Sequence, residues 1–176
     1  MSLENLADEP MAMGGRSRPV NVDQTMDSNR NLSSEFALAA KIVARVLQGE
    51  SLGGMRTATA GASAKMQAAA KDFSHNALRE YGRVDVIIGE LLTRSVPNLE
   101  TLGLLYVALA ELIAFPQANY VIVDQAVNAA GAIGQPRAAG LINAVLRNFC
   151  RGRASILQRI DVSDKGRYHH PFWWLE

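Results

Sequence analysis

Five residues, Arg137, Asn143, Arg147, Arg151 and Arg153, offer the clearest chemistry in this sequence. Wound into a helix, Gly140, Asn143, Ala144, Arg147 and Arg151 share one side, with Arg137 near the helix start and Arg153 just past Arg151. That side is small, polar and cationic, and carries no carboxylate. Planar guanidinium groups grip phosphate oxygens two at a time, and an amide can meet a sugar or a base edge. The pattern therefore suits an RNA backbone, with the arginines on phosphates and Asn143 on a sugar or base. A solvated basic helix face has the same composition. Asn143 could equally serve a helix–helix hydrogen bond, and the residues alone leave both readings open.

Other chemistries have less to stand on. The single cysteine, Cys150, excludes a disulfide scaffold and a zinc site made of cysteine pairs. It follows no strand or elbow turn, so it reads as an ordinary thiol at a helix border. His169 and His170 are adjacent and do not converge on a metal as histidines four apart would. Gly53-Gly54 lies between helices with no strand before it, so it reads as a linker and not as a phosphate cradle. No paired carboxylates, nucleophile–base pair or metal cluster converge, and no catalytic residue is expected.

Charge is uneven along the chain. The net charge is only +1, from 18 basic and 17 acidic residues. Yet no Lys or Arg occurs between Arg94 and Arg137, whereas Arg137 to Arg167 holds seven, against Asp161 and Asp164. The C-terminal part forms a basic lobe on a near-neutral body.

The elements that must place these residues are helices. Ala138, Leu141, Ile142, Val145, Leu146 and Phe149 give the basic segment an apolar stripe. After Ser33-Ser34, Phe36 to Leu47 forms a second stripe, closed by Gly49. Further helices are expected over Ala64–Tyr81, Val84–Leu92, from Asn98 to about Phe115, over Tyr120–Ala130, and over Ala154–Ile160. The run from Leu99 to Phe115 is apolar nearly all round, which marks the centre of a bundle. In Tyr120–Ala130 the pattern puts Tyr120, Val123, Val127 and Ala130 inward and Asp124, Gln125 and Asn128 outward. Pro136 suits a first helical turn. The sequence thus predicts an all-α bundle of about seven helices. It divides into residues 1–32 as a disordered tail or an added leader, 33–162 as the helical domain, and 163–176 as the start of a linker. No apolar segment reaches the length of a membrane span, and no secretory signal is visible, so a cytoplasmic, monomeric protein is expected.

Several segments carry a family resemblance. Arg45-Val-Leu-Gln-Gly-Glu-Ser-Leu52, Asp72-Phe-Ser-His-Asn-Ala-Leu-Arg79, Asn119 to Ala130 and Gly140-Leu-Ile-Asn-Ala-Val-Leu-Arg147 are similar to the N-terminal NusB-like domain of the RsmB/Sun/Fmu family of 16S rRNA cytosine-C5 methyltransferases. The tail Arg167-Tyr-His-His-Pro-Phe-Trp-Trp-Leu175 resembles the linker that precedes the methyltransferase region. The sequence departs from the family at Asp124, where Glu is usual, at Val123, often Asn, and at Asn76-Ala77, in place of Gly-Val.

The resemblance implies an accessory RNA-binding domain that positions small-subunit ribosomal RNA for a catalytic domain absent from this chain. S-adenosylmethionine would bind in that absent domain, and no cofactor is expected here. The expected partners are ribosomal RNA and the protein's own methyltransferase domain. A stand-alone antitermination factor like NusB, and a structural domain that packs on its catalytic partner, are the alternatives. The aromatic tail, Tyr168 to Trp174, could pack on the bundle, dock on a following domain, or stack on bases.

Overall fold

The computed structural model describes residues 22–52, 59–96 and 98–162, with side chains from residue 32 onward. Six α-helices cover most of these residues: α1 (Val22–Leu47), α2 (Ala64–Arg79), α3 (Tyr81–Leu91), α4 (Leu99–Ala114), α5 (Asn119–Ala132) and α6 (Ala139–Asp161). Short 3-10 turns, Pro116–Ala118 and Pro136–Ala138, lead into α5 and α6. No strand occurs among the described residues.

The helix α4 is the axle. It packs against all five other helices, and Gly103 through Leu112 are buried without interruption. That explains its all-round apolar sequence, since no side of it faces water. Its start is fixed by Asn98, whose side-chain oxygen accepts from the Thr101 amide at 2.9 Å. The most extensive interface is between α1 and α4. Gly103 permits it: a Cβ there would fall 2.4 Å from the Ala40 carbonyl oxygen. The stripe predicted in α1 is the buried one, with Phe36, Ala39, Ala40, Val43 and Val46 all in the core.

Three expectations are corrected. The helix α1 begins at Val22, ahead of the start expected after Ser34. Once its packed half is nucleated, extension adds one hydrogen bond per residue fixed, so propagation needs no apolar stripe of its own. Residues 1–21 lie outside the described residues.

Secondly, the separate helix over Ala154–Ile160 is the second half of α6, so the described bundle has six α-helices where seven were expected. Gly152 does not break α6, because Ile156 and Ile160 continue the buried stripe of Val145 and Phe149. Burying two isoleucines is worth roughly 3–6 kcal/mol, against the ~1 kcal/mol that a mid-helix glycine costs.

The third concerns the phase of α5. Val123 and Ala130 are buried and Asp124 and Asn128 exposed, as expected, but Tyr120 is 79% exposed and Gln125 is 2% exposed, the reverse of their expected sides. Ile122, Ala126, Ala129 and Ile133 are buried beside Val123 and Ala130, so the inward face is centred nearer Ala126. Its alanines are weak apolar markers, which left the phase ambiguous in the sequence.

A tight turn joins α5 to α6. Gly134 adopts φ +73°. The Gln135 amide donates back to the Ala130 carbonyl at 2.9 Å, and the Gly134 amide to Gly131 at 3.0 Å. This left-handed helix ending favours glycine. The two helices therefore run antiparallel, and their outer faces meet along a groove.

Candidate nucleic-acid interface

The groove between α5 and α6 has a volume of about 500 Å3. From α6 it is lined by Asn143, Arg147 and Cys150, and from α5 by Asn119, Tyr120, Val123, Asp124 and Val127. Two of the five residues singled out in the sequence thus share one depression. Arg147 donates through Nε to Asn143 Oδ1 at 2.8 Å, one helical turn apart. This bond orients the guanidinium and leaves its terminal nitrogens free to donate. Asn143 is therefore engaged along its own helix and does not bridge to a neighbouring one.

Arg151 lies one turn further along α6, exposed, with Nη2 donating to Asn148 Oδ1 at 2.5 Å. Arg137 sits in the 3-10 turn before α6, also exposed. It does not line the groove. Among the described residues neither it nor Arg147 or Arg151 pairs with a carboxylate. Farther down α6 the situation changes, because Arg159 pairs with Glu90 of α3 at 2.7 Å. Beside the groove, Arg147 and Arg151 of α6 and Arg137 just before it are thus cations with no ion pair among the described residues.

Arg153 is placed differently. Its Nη2 donates to Asn119 Oδ1 at 2.7 Å, and its guanidinium carbon lies 5.3 Å from the Phe149 ring centroid. It ties α6 to Asn119, the first residue of α5, which itself lines the groove. Its Nε is buried without a partner.

Electrostatics along the groove are mixed. Asp124 accepts through Oδ2 from Gln125 Nε2 at 2.9 Å and from Asn128 Nδ2 at 3.2 Å. It lines the same depression as Arg147 but forms no ion pair with it. Burial pushes the Cys150 thiol up from its ordinary value, and the nearby Arg153 and Arg147 only partly oppose this. A raised thiol is a poor nucleophile at neutral pH, so Cys150 is a wall of the groove. Among the described residues no three His, Cys, Asp or Glu side chains are grouped as metal ligands would be.

Among the groove residues outside the five predicted from the sequence, Tyr120 and Asp124 add an aromatic ring and a carboxylate. The sequence pattern predicts Tyr120 inward, whereas its ring stands exposed at the groove. The line Ile122, Ala126, Ala129, Ile133 would have revealed it, because that phase turns residue 120 to the outside.

The segments that carry this groove also place the chain among known proteins. A model of the NusB family matches residues 36–151. The chain belongs to the NusB family. The NusB segment runs from the packed half of α1 to Arg151 and contains both walls of the groove. Similar proteins include "Ribosomal RNA small subunit methyltransferase B" from Shigella boydii serotype 18, 32% identical over 154 residues. Proteins of the same name from Escherichia fergusonii and Escherichia coli O127:H6 are also 32% identical over that length. Each alignment covers 86% of this chain and 35% of the relative. The NusB chain thus spans about a third of the length of these relatives. The aromatic stretch Tyr168 to Trp174, read in the sequence as a linker, lies outside the described residues.

Proposed function

We propose that this NusB domain is an RNA-binding module whose contact face is the α5–α6 groove and the exposed cationic side of α6. The observation that carries this is the placement of Arg147, oriented by Asn143 and unpaired with any carboxylate, at the edge of a groove that also presents an exposed aromatic ring. Guanidinium groups in this state take phosphate oxygens without first breaking an ion pair. Arg151 and Arg137 extend the contact along the backbone.

The likeness to ribosomal RNA small subunit methyltransferases supports small-subunit ribosomal RNA as the partner. In this reading the domain positions RNA for a cytosine-C5 methyltransferase region that lies outside these residues and holds S-adenosylmethionine.

The test is binding of small-subunit rRNA fragments across a salt series. Two to three phosphate contacts on single-stranded RNA give a slope of log K against log salt of roughly −1.4 to −2.1. Arg147→Ala should reduce the slope by about 0.7 and weaken binding at low salt. Affinity independent of salt, or unaffected by Arg147→Ala, refutes the assignment.

A further inference from the structure

Phosphate binding leaves two groups of the groove unused, Tyr120 and Asp124. Tyr120 is 79% exposed, and Phe115, the next most exposed aromatic among the described residues, is 48% exposed. The other tyrosines with described ring contacts, Tyr81 and Tyr106, stack on each other with centroids 5.2 Å apart. Tyr120 therefore presents an unpaired aromatic face to a groove bordered by Arg147. Asp124 is held by two donors on Oδ2, which fixes its carboxylate and leaves Oδ1 with no partner among the described residues. An ionised carboxylate only accepts hydrogen bonds.

Charge orders these groups. A phosphate on the groove floor would meet Asp124, so the backbone must run along the rim, at Arg147 and Arg151. What enters between Tyr120 and Asp124 must then be neutral, flat and able to donate a hydrogen bond.

We propose that the groove takes one unpaired base bearing an exocyclic amino group, which stacks on Tyr120 and donates its N–H to Asp124 Oδ1. This rests on the RNA-binding reading and adds base selectivity to it. Cytosine, adenine and guanine carry such an amino group. Where cytosine and adenine carry the amino group uracil has the O4 carbonyl, which meets the carboxylate acceptor to acceptor, and its one donor on that edge, the ring N3–H, sits a position further round the ring. Stacking alone is indifferent to the base, so Asp124 is the specificity-determining residue and Tyr120 the platform.

The experiment is fluorescence anisotropy with short labelled oligocytidine, oligoadenosine and oligouridine at low salt, on the wild type, Tyr120→Ala, Asp124→Asn and Arg147→Ala. Both groove residues are exposed, so the variants retain the fold, which circular dichroism checks. Oligocytidine and oligoadenosine should bind roughly tenfold tighter than oligouridine. Asp124→Asn, whose amide both donates and accepts, should erase most of that difference. Tyr120→Ala should weaken oligocytidine and oligoadenosine by about tenfold. Equal wild-type affinity for oligouridine and oligocytidine, or unchanged binding by Tyr120→Ala, while Arg147→Ala still weakens binding, overturns the base pocket and leaves the phosphate contact standing. No binding to any of the three refutes both.

Discussion

Replacing Gly103 by alanine tests the crossing of α1 and α4, on which the whole bundle depends. The added Cβ would lie 2.4 Å from the Ala40 carbonyl oxygen and 3.1 Å from the Ala44 amide nitrogen. Ordinary contact begins at about 3.4 Å, so the two helices must part by about 1 Å. Both obstacles are backbone atoms, so no side chain can swing away and α1 must shift as a body. Overpacking of this kind costs roughly 3 kcal/mol. Alanine's better helix propensity returns about 1 kcal/mol, which leaves a net loss near 2 kcal/mol. For a domain of this size the melting temperature should fall by about 6 °C. Gly89, within α3, is the internal control, since a Cβ there meets nothing within 4 Å. Gly89→Ala should gain about 0.5–1 kcal/mol and raise Tm by about 2–3 °C. Thermal melts followed by far-UV circular dichroism read both. If both exchanges raise Tm alike, the α1–α4 crossing is not where the structure puts it.

Other consequences follow from single side chains. Burial pushes the Glu111 carboxyl up from its ordinary 4.5, with the Asn76 hydrogen bond opposing. The folded state then binds more protons than the unfolded one above that value, so stability falls as pH rises through the window between the two pKa values. Glu111→Gln should remove this decline and be the more stable form at neutral pH, as urea midpoints at mildly acidic and neutral pH would show; a parallel pH dependence of the two proteins counts against it. Tyr106 is buried, and its hydroxyl donates to Asp85 Oδ1 at 2.9 Å. Tyr106→Phe should cost about 1.5 kcal/mol, the low end for a hydrogen bond to a charged group, because the exposed Asp85 can turn to water; no loss in the urea midpoint would mean that the hydroxyl contributes nothing to the fold. Arg153→Met should lower Tm with little effect on RNA affinity, because Arg153 holds Asn119. Arg147→Ala should do the opposite, and a matching pattern for the two variants would refute the division between them.

The basic face was legible because its signals are strong and local. Ile142, Val145, Leu146 and Phe149 are large, periodic and all buried, so the phase of α6 was fixed and Arg147 had to face outward. In α5 the sides of Val123, Ala130, Asp124 and Asn128 were legible, but not those of Tyr120 and Gln125. There Ala126 and Ala129 lie at the middle of the buried face, and small residues carry little transfer free energy to announce it. The face is turned enough to bring Tyr120 out and Gln125 in. Gly152 misled in another way, since local propensity argued for a break that the burial of Ile156 and Ile160 overrides. The role of Arg153 depends on Asn119, 34 residues earlier in the chain. No pattern within one helix contains that contact.

RNA is proposed to bind along α5 and α6. Mapping amide shifts in the nuclear magnetic resonance spectrum of the labelled domain, as a short cytidine-rich RNA is added, tests it most directly. The perturbed amides should cluster at Asn119 to Asn128 and at Gly140 to Arg151, with α2 and α3 unmoved. Shifts centred on α2 and α3, or none at saturating RNA, would contradict it.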